Sequence, residues 1–102
     1  MAIVEYEGKT YDTEFEFETL KDEASGIMGQ CYGFGIWIKD LTEEERQYLD
    51  ELSRESAQFT QRFDLVNDLE KIFEFQQYLK GIRESLNEKF ANRETWNEPH
   101  YV

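Results

Sequence analysis

One cysteine, one proline and one histidine occur in 102 residues, and each scarcity removes a class of function. With Cys31 alone, no disulfide can form within the chain, and nothing points to an oxidising compartment. A buried, inert thiol is the expectation for Cys31, because it has no basic neighbour in sequence to stabilise a thiolate. His100 lies in the tail and is expected to be solvated, which leaves no histidine to serve as a general base. Long hydrophobic runs are also missing. The longest apolar cluster, Gly33 to Ile38, falls far short of the roughly 20 residues a membrane-spanning helix needs. The start, Met1-Ala2-Ile3-Val4-Glu5, has no basic region followed by an apolar stretch, so no signal peptide is visible and a cytoplasmic protein is expected. Positive charge is scarce too, with 11 Lys and Arg against 23 Asp and Glu, a net charge of −12. Such a surface repels phosphates and anionic lipids, which disfavours direct binding to nucleic acid or membrane and favours basic partners.

What is present suffices for a core. Phe, Leu, Ile and Val make up 25 of the 102 residues, above the roughly 20 % below which acidic chains stay disordered. Eight Phe, six Tyr and two Trp supply large apolar area. At this length one domain is expected over residues 1–102, with a radius of gyration of about 13 Å.

Residues 2–7 and 10–19 read as two strands of a hairpin around Gly8-Lys9, with a type II′ turn. That register sets Tyr6 opposite Tyr11, Val4 opposite Thr13 and Ala2 opposite Phe15, with Tyr6, Tyr11, Phe15 and Phe17 facing inward. The other face then carries Glu5, Glu7, Asp12, Glu14, Glu16 and Glu18. Residues 20–29 read as a connection, and 30–38 as a third strand. Thr42-Glu43-Glu44-Glu45 matches a capping box and predicts a helix with Leu49, Leu52, Ser56, Phe59 and Phe63 on one stripe. A second helical pattern starts near Asp64 and runs through Leu65, Leu69, Ile72, Leu79, Ile82, Leu86 and Phe90, with Phe75 and Tyr78 widening its apolar sector. Within residues 43–92 a helical hairpin is preferred over one long helix, because a small sheet needs nearby cover. Residues 93–102 read as a tail. The expected fold is therefore α+β: a small, three-stranded, mainly antiparallel sheet followed by two helices packed on one face.

The acidic strand face is the most informative pattern. Glu5 and Asp12, directly opposed about 5 Å apart, would repel by roughly 0.8 kcal/mol in water, which suggests a face kept for use. Alternate strand residues lie roughly 6.8 Å apart, so Asp12, Glu14, Glu16 and Glu18 would form a phosphate-like line with one charge per two rise steps of DNA. A supporting patch, Glu43, Glu44, Asp50 and Glu51, lies along the first helix. Charge is concentrated: residues 1–23 carry −6, residues 40–55 carry −5 and residues 64–102 carry −3. No stretch has the alternating Asp/Asn, central Gly and closing Glu of a calcium loop, and no other cofactor or metal site is expected. Ser25 lacks the context of an activated nucleophile, and no enzyme is expected.

In charge character, though in no motif, the chain resembles the small acidic DNA-mimic proteins that phages deploy against restriction or CRISPR nucleases. The resemblance carries no residue over. It implies a non-enzymatic anti-defence inhibitor that blocks the basic nucleic-acid-binding surface of a protein or nuclease complex, with Trp37, Tyr48 or Tyr11 as desolvated anchors. An immunity protein or antitoxin against a basic toxin would use the same physics. A structural or assembly adaptor is the other reading, with a helix interface at Phe75, Tyr78 and Ile82 and a homodimer among its outcomes.

Overall fold

The fold is that of a computed structural model, which describes residues 3–101. Two short strands, β1 (Ile3–Tyr6) and β2 (Lys9–Asp12), form an antiparallel hairpin. Three α-helices follow, α1 (Thr13–Trp37), α2 (Glu43–Ala57) and α3 (Leu69–Phe90). Two single 3₁₀ turns, Gln58–Thr60 and Phe63–Leu65, lie between the last two helices. The arrangement remains a small α+β one, but the three-stranded sheet with two helices is not formed.

Residues 13–38 account for the difference. The alternation Glu14-Phe15-Glu16-Phe17-Glu18 suits a strand, yet Asp12 acts as a helix N-cap, its side chain accepting from the Glu14 N–H at 3.0 Å. Glu14 and Glu16 then fall in the first turn, where the helix dipole favours negative charge. The decisive term is burial. Thr13, Phe17, Leu20, Ala24, Ile27 and Cys31 are buried along one stripe, and the same four-three spacing continues to Phe34 and to Ile38 beyond the helix end. A strand would have turned Phe15 and Phe17 the same way. On the helix they point apart, so Phe17 is 3 % exposed and Phe15 is 67 % exposed, contrary to its expected inward position. Residues 20–29 and 30–37 are therefore helix, not connection and strand.

The hairpin is shorter than expected and its turn sits one residue earlier. Glu7 and Gly8 both have positive φ, +50° and +80°, which makes this a type I′ turn rather than type II′. Ile3 pairs with Asp12, Val4 with Tyr11, Glu5 with Thr10 and Tyr6 with Lys9. Moving the turn by one residue slides the pairing by two, so no side chain changes face. Glu5 now opposes Thr10 instead of Asp12, which removes the like-charge pair that the other register imposes.

The helices run up, down and up. Tyr48 and Glu55 of α2 meet Phe90 and Tyr78 of α3, which makes those two antiparallel and forms the expected helical hairpin. Between α1 and α3, Glu16 meets Gln76, Glu23 meets Arg83 and Phe34 meets Phe90, which makes them parallel. The capping box at Thr42 and Glu45 is complete in both directions. α3 starts later than expected, with Asp68 rather than Asp64 as its cap. The radius of gyration is 16.2 Å and the extents are 48 × 23 × 22 Å. The molecule is thus a rod, longer than the compact shape expected of about 100 residues.

Residues 93–101 close one end of the rod. The last carbonyls of a helix lack partners within it. Here the Phe34 carbonyl accepts from the Ile38 N–H and that of Gly35 from Arg46, at 3.1 and 3.2 Å. The Ile36 carbonyl accepts from the His100 N–H and that of Trp37 from the Trp96 N–H, at 2.7 and 2.8 Å.

Candidate functional site

The expected acidic residues fall into two groups, one on each half of the rod. Because α1 and α2 are antiparallel, residues 12–18 lie at the hairpin end, and the start of α2 lies beside the end of α1.

On α2 the four acids keep the arrangement read from the sequence. Glu43 and Asp50 are seven residues apart, as are Glu44 and Glu51, so the four form two adjacent lines along the helix with about 10.5 Å between charges in each. All four are exposed. Asp50 pairs with Arg54 at 2.9 Å, and among the described residues no ion pair neutralises Glu43, Glu44 or Glu51.

The hairpin end is different, because its strand-like row does not form. Asp12 is spent on the helix cap, and Glu14 and Glu18 share one side of α1 while Glu16 turns to α3. There Gln76 donates to both the main-chain carbonyl and the carboxylate of Glu16, at 3.1 and 3.2 Å. Glu18 pairs with Lys21 at 2.7 Å, and Glu5 is exposed on the outer face of β1.

Three further acids enter this end that the sequence reading did not assign to the site: Glu7 in the turn, and Glu70 and Glu74 on α3. They surround Tyr6, whose hydroxyl is held above its ordinary pKa chiefly by the charge of Glu7, then by burial, then by Glu70 and Glu74. An aromatic cluster brings them together. Phe73 sits between Tyr6 and Tyr11, with ring centroids 5.5 and 5.0 Å away, and so docks the hairpin onto α3. The available signal was the i, i+4 spacing of Glu70 and Glu74 behind the Asp68 cap.

The suspected anchors are mostly engaged. Tyr11 belongs to the Phe73 cluster, Tyr48 lies under Lys89 at 4.4 Å, and Trp37 remains 39 % exposed. Phe75 and Ile82 pack against the core, and the Phe75 ring lies tilted against Phe59 with centroids 4.8 Å apart. Tyr78 donates to Glu55 across the α2–α3 contact, and this raises its pKa. The wide apolar sector of α3 therefore serves α1 and α2 together.

The groups with chemical potential do not converge. Cys31 is buried, and burial pushes its thiol up to about 11. His100 stacks on Trp96 with ring centroids 5.0 Å apart. Among the described residues no three His, Cys, Asp or Glu side chains are placed to hold a metal ion, and no helix is long and apolar enough to cross a membrane. No protein-family model, curated protein or solved structure matches this chain.

Proposed function

We propose that this protein is a non-enzymatic inhibitor acting in the cytoplasm, an anti-defence factor whose carboxylates occupy the basic nucleic-acid-binding surface of a target protein. The observation that supports this reading is the exposed row on α2, Glu43, Glu44, Asp50 and Glu51. A net charge of −12 spread over a rod 48 Å long amounts to one negative charge per 4 Å. That density is close to the one charge per roughly 3.4 Å of a single nucleic-acid strand. Glu5, Glu14 and Glu18, joined by Glu7, Glu70 and Glu74, extend the negative field to the hairpin end. Such a field raises association rates and makes binding salt-sensitive.

The test is capture of partners from nuclease-treated host lysate, followed by competition with DNA for the captured protein. The native chain is compared with a variant carrying Glu43→Gln, Glu44→Gln, Asp50→Asn and Glu51→Gln. A basic nucleic-acid-handling protein that is captured at low salt, displaced by DNA and lost in the variant supports the proposal. Equal capture by both chains at low and high salt refutes it.

A further inference from the structure

Among the described residues, no strand pairs with the outer edge of β1. In a hairpin closed by a two-residue turn, the residues flanking the turn exchange both main-chain hydrogen bonds. Such pairs then alternate along the ladder with pairs that exchange none. Tyr6 with Lys9 and Val4 with Tyr11 are therefore the bonded pairs, while Ile3 and Glu5 aim their N–H and C=O groups away from β2. Among the described residues, no main-chain hydrogen bond from another element reaches these groups. An unpaired strand edge is a template for another strand. This one is accessible, since Ile3 is 59 % exposed, Val4 is 38 % exposed and Glu5 is exposed.

Charge decides what fits the edge. Glu5 lies on one face of β1, and Glu7, Glu70 and Glu74 gather around Tyr6 at its end. All four acids are exposed, and among the described residues none has an ion-pair partner. Lys9, the one cation of the hairpin, stands on β2, away from the free edge. A second copy is a poor occupant, because pairing two β1 edges brings two such unneutralised ends together. We infer that the outer edge of β1 accepts an extended, basic segment of the target protein as a third, antiparallel strand. The inference rests on the proposal of a basic target. Antiparallel addition then fixes the order of side chains on the incoming strand. Its residue opposite Tyr6 is basic, facing Glu7, Glu70 and Glu74, and the next, opposite Glu5, is basic too. The following two, opposite Val4 and Ile3, are apolar. Main-chain bonds supply affinity and this order supplies specificity.

The test is titration with a peptide of sequence TKKVVT, blocked at both ends and followed by amide chemical shifts. Shifts are expected at Ile3 and Glu5. N-methylation of the second lysine and second valine, whose N–H groups face Glu5 and Ile3, should weaken binding at least about tenfold. N-methylation of the first lysine and first valine, whose N–H groups point away from β1, should change it less than about twofold. Glu5→Lys should weaken binding of the unmethylated peptide. The variant with Glu43→Gln, Glu44→Gln, Asp50→Asn and Glu51→Gln should keep the discrimination between the two methylated peptides. Equal weakening by both methylations overturns the inference, as does an absence of shifts at Ile3 and Glu5. A dimer of the chain that is abolished by Ile3→Pro, which removes an outward N–H, overturns it as well. Failure here leaves capture through α2 standing, and failure of that capture leaves the peptide discrimination unchanged, so the two readings fail separately.

Discussion

Glu45 joins three parts of the fold. It closes the capping box with Thr42 and takes two hydrogen bonds from Arg93, at 2.6 and 3.2 Å. The Arg93 bonds, then that of the Thr42 N–H, hold its pKa down to about 2 from an ordinary value of 4.5. A depressed carboxylate contributes stability that is present above the unfolded-state value and lost as pH falls through the folded one. The native chain should therefore be more stable than Glu45→Gln at neutral pH, with the difference disappearing between about pH 4.5 and 2. Urea unfolding of both chains across that range checks it. Glu7 offers a second residue-scale test. Its φ of +50° is a conformation that non-glycine residues adopt at a penalty. Glu7→Gly should stabilise the hairpin by about 0.5–1 kcal/mol, measurable as a shift of the urea midpoint.

At the scale of elements, legibility followed from how much local chemistry each segment carries. α2 was readable because Thr42 and Glu45 announce its start and Leu49, Leu52 and Ser56 mark its buried side. α1 was not, because two periodicities overlap in it. Over residues 14–18 the acids and phenylalanines alternate by two, while the longer set from Thr13 to Cys31 repeats by four and three. Four glycines in α1 strengthened the strand and loop readings, since each disfavours helix by about 1 kcal/mol relative to alanine. Tertiary burial of the longer stripe outweighs them. Gly26 has an internal reason, for an added Cβ would come 3.0 Å from Arg83, which reaches across to Glu23 at 3.0 Å. Gly81 in α3 has none, and nothing lies within 4 Å of its Cβ position. Gly81→Ala should raise stability by about 0.8–1 kcal/mol, whereas Gly26→Ala should gain less or lose, as thermal melts of the two variants will show. The acidic site divided in the same way. The α2 row was legible because helix spacing alone sets it. The grouping of Glu7, Glu70 and Glu74 was not, because it depends on Phe73 docking the hairpin against α3.

At the scale of the whole molecule, the rod carries acids on both halves, the hairpin-end group on one and the α2 row, beside the uncharged second half of α1, on the other. Capture of a basic partner through these acids should weaken as ionic strength rises. The closure at residues 93–101 is the other global feature. Removing residues 93–102 deprives the Ile36 and Trp37 carbonyls and Glu45 of their partners. Two bonds from Arg93 to Glu45, one from Arg93 to the Asp40 carbonyl and main-chain bonds at Glu94, Trp96 and His100 are lost, which should cost at least about 2–4 kcal/mol. Urea unfolding measures the loss, and faster amide exchange in the last turn of α1 would locate it.

That closure also sets an order of events during synthesis. α1 leaves the ribosome early, yet two carbonyls at its end find their partners only when Trp96 and His100 follow, long after α2 and α3. A nascent chain stalled within α3 holds every helix-forming residue of α1 but not the amides that finish it. Completion of the fold is therefore tied to the emergence of the tail, and a protease that trims the tail would return α1 to the unfinished state of the nascent chain.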